Sequence, residues 1–141
     1  MPDPIPPPAA RQPAEALELA AQALSDGDLE AALAQYEPGA RLLTWQPGPE
    51  QGIRGALTCF MRLRLPLAVR IGTVLHGAGV ALVSCARRTA GTGPDGEDVE
   101  YRGLGAAVVR AQPDGTWRIA ADVWALDRGV PAETAETEVP L

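Results

Sequence analysis

The residue best placed to do chemistry is Asp122, which lies in the run Gly115-Thr116-Trp117-Arg118-Ile119-Ala120-Ala121-Asp122-Val123-Trp124. This run follows a Pro113-Asp114-Gly115 turn signal and reads as a strand. At a strand's two-residue period, Arg118, Ala120, Asp122 and Trp124 share one face, and Trp117, Ile119, Ala121 and Val123 share the other. Both faces are apolar enough to be covered. A carboxylate on a covered face costs several kcal/mol unless it is paired or protonated, so Asp122 either sits in a wet cavity or pairs with a cation such as Arg118. Burial beside Trp124 would raise its pKa and suit it to general acid/base work, whereas a neighbouring arginine would make it half of a structural ion pair.

Few other residues offer chemistry. Cys85 has Arg87 two residues on, the one arrangement here that could support a thiolate, although a buried structural cysteine is the default reading for both Cys59 and Cys85. Tyr36 falls on the inward stripe of a short helix. His76, the only histidine, lies at a predicted hairpin tip with no His/Cys/carboxylate cluster at metal-ligand spacing, so no metal site is expected. Gly91-Thr92-Gly93-Pro94-Asp95-Gly96 matches G-x-G-x-x-G in letters only. It joins two antiparallel strands, whereas a dinucleotide fingerprint joins a strand to a helix, so no cofactor is expected there. The acids Asp95, Glu97, Asp98 and Glu100 lack the alternating spacing of a calcium loop and read as a solvated hairpin.

The elements that must position these residues are legible from periodicity and breakers. Leu17, Ala20, Ala21 and Leu24 repeat at i, i+3, i+4, i+7 before Ser25-Asp26-Gly27. Asp28 caps a second helix carrying Leu29, Leu33 and Tyr36, which Pro38-Gly39 stops. A short strand is predicted over 41–45, a third helix over 53–65, and strands over 68–75, 80–89, 99–111 and 117–125. Residues 1–13, rich in proline, and the acidic stretch 128–141 are expected to be disordered tails around one domain, 14–127. Helices followed by a four-strand meander predict an α+β domain with helices on one sheet face. The other face would carry Leu82, Leu104, Ala106, Val108, Trp117, Ile119 and Val123, which is too apolar for solvent and predicts a homodimer through the sheet.

Composition narrows the partners. The chain has 141 residues and a formal charge of −6, a balance that argues against nucleic acid and anionic membrane surfaces. All 12 basic residues are arginine, which excludes a Schiff-base or P-loop lysine. No apolar run approaches the ~20 residues of a membrane span. The opening Met1-Pro2-Asp3-Pro4-Ile5-Pro6-Pro7-Pro8 has no basic or apolar region of a secretory signal, so a cytoplasmic protein with reduced thiols is expected.

The segments Ala23-Leu24-Ser25-Asp26-Gly27-Asp28-Leu29-Glu30, Leu33 to Tyr36, Gln46-Pro47-Gly48, Leu65-Pro66-Leu67-Ala68-Val69 and Asp114-Gly115-Thr116-Trp117-Arg118-Ile119 occur in a telling order. In that order and spacing the chain resembles the nuclear transport factor 2-like superfamily, in particular its SnoaL-like and ketosteroid-isomerase-like bacterial members, over residues 14–127. The resemblance implies a cystatin-like cone, a curved antiparallel sheet with three N-terminal helices on its concave face. It also implies a cavity lined by Asp122, Tyr36, Gln46, Cys85, Arg87, Tyr101, Arg118 and Trp124. The steroid-isomerase machinery does not carry over. Gln46 stands before Pro47 where those enzymes place the general-base Asp, and Ala20 and Ala107 fall near their two oxyanion-hole donors. Gln takes up no proton at neutral pH and Ala donates no hydrogen bond. Three readings follow: a protein binding a small apolar or aromatic molecule, an isomerase, cyclase or dehydratase with Asp122 as general acid/base, or a structural dimerisation module.

Overall fold

The computed structural model describes residues 6–43 and 52–128. Three helices, α1 (Pro13–Ser25), α2 (Leu29–Leu33) and α3 (Ile53–Met61), precede or interrupt six strands: β1 (Tyr36–Leu43), β2 (Leu67–Gly77), β3 (Val80–Thr92), β4 (Asp98–Ala111), β5 (Trp117–Trp124) and β6 (Asp127–Arg128). The strands form one curved open sheet in the order β1-β5-β4-β3-β2, with β6 added to β4. The expected α+β architecture is therefore present. β2 to β5 form the predicted antiparallel meander, but β1 joins β5 in parallel.

Local chemistry accounts for the boundaries. α1 begins with Pro13 in its first turn, where the missing N–H removes no helical bond, and buries Ala16, Leu17, Ala20, Ala21 and Leu24. Asp28 caps α2 by accepting from the Ala31 N–H at 3.0 Å. That helix ends at Leu33, so Tyr36 opens β1 and is not a helical residue. Pro38 and Gly39 do not end a helix but fall inside β1, at a register break between Tyr36 and Arg41. A proline is tolerated on this edge strand, where no ladder partner needs its N–H. The N-terminal segment is tied down earlier than the expected boundary at residue 14. Ala10 is fully buried and bridges Trp117, and the buried Gln35 donates through Nε2 to the Pro8 carbonyl at 2.7 Å.

Strict alternation fails in β5, and this decides which side chains reach the core. Val108 pairs with Ala121 and Val109 with Ile119, which leaves Ala120 as the extra residue of a β-bulge. Ile119, fully buried, is therefore on the same face as Asp122 and Trp124, and Trp117 packs against that core as well. The expectation that Ile119 and Trp117 face outward is corrected. Arg118 moves the other way and stands opposite Arg110 on the outer face. Leu82, Leu104 and Val123 do face outward, at 48%, 45% and 40% exposure.

Two glycines in β4 permit the close approach of the end of β5 and of the chain just after it. A Cβ on Gly103 would overlap the Ala125 carbonyl oxygen, and one on Gly105 would overlap the Val123 carbonyl oxygen. Gly103→Ala is expected to destabilise the fold by roughly 3 kcal/mol in urea denaturation. Ile119→Asp is expected to cost roughly 4 kcal/mol through a buried unpaired charge. A variant of either kind with an unchanged midpoint would show that these positions are not enclosed as described.

Candidate functional site

The inner face of the sheet brings four of the predicted site residues into direct contact. Asp122, from β5, lies opposite Ala107 of β4 and Leu42 of β1. Its Oδ2 atom accepts from the Tyr36 hydroxyl at 2.9 Å, from Arg87 Nη2 at 3.0 Å and from Trp124 Nε1 at 2.8 Å. None of the four residues is more than 4% exposed. The other carboxylate oxygen, Oδ1, is buried with no hydrogen-bond partner among the described residues.

Each partner is held by a second contact. Arg87 points inward from β3 and donates through Nη1 to the Val123 carbonyl at 3.3 Å, and its guanidinium carbon lies 4.7 Å from the centre of the Trp124 ring. Trp124 also meets Phe60 of α3 edge-on, with ring centroids 5.4 Å apart. Gly105 sits beside this arginine, since a Cβ there would come within 3.0 Å of Arg87 Nη1 and 3.4 Å of Cys85 Sγ. Tyr36 reaches Asp122 because it opens β1 rather than closing α2.

The electrostatics favour a closed ion pair over a reactive group. Arg87 and Asp122 bridge at 3.0 Å with both side chains almost wholly out of solvent. The partner is Arg87 and not Arg118, the arginine expected from the strand's own face. Burial pushes the Tyr36 hydroxyl well above the ordinary tyrosine value, the Asp122 charge raises it further, and Arg87 opposes both. Burial likewise raises the Cys85 thiol, with Arg87 opposing, so the thiolate is disfavoured at this position. One oxygen of the Asp122 carboxylate thus accepts three donors, one of them cationic.

The remaining predicted residues divide. Tyr101 lies half-buried on the inner side of β4, where β6 pairs with it. Cys85 is buried between Val83 and Arg87 on the inner face of β3. Gln46 lies outside the described residues. Arg118 belongs to a different feature, a shallow depression of about 420 Å³ between α2, α3 and β1. Phe60, Gly103 and Gly105 were not singled out from the sequence. The Gly-x-Gly spacing within an otherwise apolar strand was the signal available for the two glycines. Among the described residues no group of three His, Cys, Asp or Glu side chains is placed to hold a metal ion, and no helix is long and apolar enough to cross a membrane.

Comparison with known proteins identifies the fold. The chain matches no family model and no curated protein. It is similar to a conserved protein from Planctomyces limnophilus, with a TM-score of 0.73 and 15% identity over 82% of this chain and 94% of that one. It is similar to a ketosteroid isomerase-like protein from Erwinia carotovora, with a TM-score of 0.65 and 18% identity over 84% of this chain and 95% of that one. An NTF-2 like protein of unknown function from Shewanella oneidensis aligns with a TM-score of 0.61 and 17% identity, over 79% of this chain and 94% of that one. The chain has the nuclear transport factor 2-like fold.

The ion pair is expected to behave as a unit. Asp122→Asn or Arg87→Leu alone should lose about 3–5 kcal/mol of stability, and Tyr36→Phe about 1–2 kcal/mol. The double variant Arg87→Leu/Asp122→Asn should lose less than the sum of the two single losses; urea denaturation of all four decides, and strictly additive losses would deny the coupling. Because the folded state holds the Tyr36 proton more tightly than the unfolded chain, this group's contribution is fully present below pH 10 and is lost as pH rises beyond it. Absorbance of tyrosinate should accordingly show Tyr36 ionising only as the protein unfolds.

Proposed function

We propose that this chain binds a small apolar or aromatic molecule inside its nuclear transport factor 2-like domain and does no chemistry on it. The observation that carries this reading is the division of labour within the Asp122 carboxylate. Oδ2 is saturated by Tyr36, Arg87 and Trp124, which argues against Asp122 as a general acid/base and so against an isomerase, cyclase or dehydratase. Oδ1 is a buried acceptor with no partner among the described residues, and suits the hydroxyl or N–H of an otherwise apolar ligand. Arg87 already balances the acid's charge, so the ligand is neutral. Cys85 and Tyr101 complete the candidate lining. Cys59 and Cys85 are not joined by a disulfide, which is compatible with a cytoplasmic setting.

A second property, self-association, is favoured by a separate observation. Leu82, Leu104 and Val123 are exposed on the outer face of β3, β4 and β5, with Leu75 opposite Leu82 and Val80 two residues before it. A homodimer through this face would cover them.

Thermal shift with 2-naphthol and 2-methoxynaphthalene tests the ligand reading. Naphthol should stabilise by about 2.7 kcal/mol at 100 times its dissociation constant, and its methyl ether, lacking the donor, should bind roughly tenfold more weakly. If neither compound shifts the protein, the interior is not a binding site. Light scattering at low micromolar concentration should give a dimer that Leu82→Asp/Leu104→Asp dissociates without loss of fold; a monomeric wild type would remove the second property.

A further inference from the structure

We infer that the depression between α2, β1 and α3 is a separate binding site for an amphipathic carboxylate, with Arg118 as its anion-binding group. The depression is shallow and open, holds about 420 Å³, and is lined by the apolar Leu33, Ala34, Pro38 and Ile53, by Tyr36, and by the charged Glu30, Glu37, Arg54 and Arg118. Its volume falls within the range of small-ligand sites, which run from roughly 300 to 1,000 Å³.

Three of its four charged groups already have partners. Arg54 donates through Nη1 and Nη2 to the two Glu30 carboxylate oxygens, at 2.8 and 3.3 Å. Glu37 faces Arg110 at 3.6 Å and accepts from Gln112 Nε2 at 2.9 Å. Arg118 is the exception. No carboxylate lies within salt-bridge distance of it among the described residues, and Asp114, which feels its charge, gives its own carboxylate to the Thr116 hydroxyl at 2.6 Å. Arg118 also stands directly across from Arg110, a like-charge cross-strand pair that Glu37 offsets from one side only. A carboxylate docked at Arg118 would relieve that repulsion and find the planar, forked donor set that arginine offers to such groups. The apolar body of the same molecule would cover Leu33 and Ile53, both half-buried.

This site shares Tyr36 with the Asp122 network but differs from it in chemistry, since one takes a neutral donor and the other an anion. Titration calorimetry with 4-phenylbutyrate and 4-phenylbutanol tests it in moderate salt. The carboxylate should bind with at least tenfold preference over the alcohol, weaken as salt rises, and keep its affinity when 2-naphthol is saturating. Arg118→Gln should erase the preference while leaving the melting temperature unchanged. Ile53→Glu, which sets a like charge on the apolar floor, should abolish binding by a route that spares the arginine. The inference is overturned if 4-phenylbutyrate gives no heat at about 10 mM, a concentration that detects even millimolar affinity. It is equally overturned if Arg118→Gln binds the carboxylate as the wild type does, or if naphthol displaces it.

Discussion

The structure turns on one oxygen atom. Asp122 Oδ2 collects donors from three separate strands, since Tyr36 comes from β1, Arg87 from β3 and Trp124 from β5. In a water-free interior these bonds are worth more than at a surface, and any one of them left unmade would strand a charge or a polar group. The network therefore determines more than local geometry. It couples the parallel edge strand β1 to the antiparallel meander, and through the Trp124–Phe60 contact it sets where α3 rests on the sheet.

Such a network needs room for a guanidinium and an indole in a core otherwise built from small residues. The inner face supplies it with Ala107, Gly103 and Gly105 on β4, where larger side chains would collide with Arg87 or with the backbone at the end of β5 and just after it. The bulge at Ala120 is the second requirement. It keeps Ile119 in the core while turning Asp122 and Trp124 to the same side, and it sends Arg118 outward. A single inserted residue thus separates an interior acid from an exterior base that simple alternation would have placed together.

The same scaffold hosts unrelated activities, so the fold alone assigns no reaction. What distinguishes this chain is how its one interior acid is held. Asp122 Oδ2 accepts from three donors, one of them the cationic Arg87, while Oδ1 has no hydrogen-bond partner among the described residues. Outside the cone, the exposed apolar residues Leu82, Leu104 and Val123 and the depression at Arg118 present two further surfaces of different chemistry.

Much of this was determined by sequence alone. Periodicity and turn residues specified the helix-then-meander order, the strands carrying Cys85, Tyr101 and Asp122, and the outward position of Leu82, Leu104 and Val123. The improbability of an unpaired buried acid singled out Asp122 itself. These are local or single-residue properties, readable without knowing which strands pair. Tertiary structure decided the rest. Which arginine neutralises Asp122 depends on neighbouring strands, and Arg87 lies 35 residues away from it in the chain. Whether Ile119 faces the core depends on a bulge that appears only when β5 is registered against β4. Tyr36 became a strand residue because the parallel ladder to β5 outweighed its place after a helical run. Pairing and register are cooperative properties of the whole sheet, and a one-residue shift reverses every face they define.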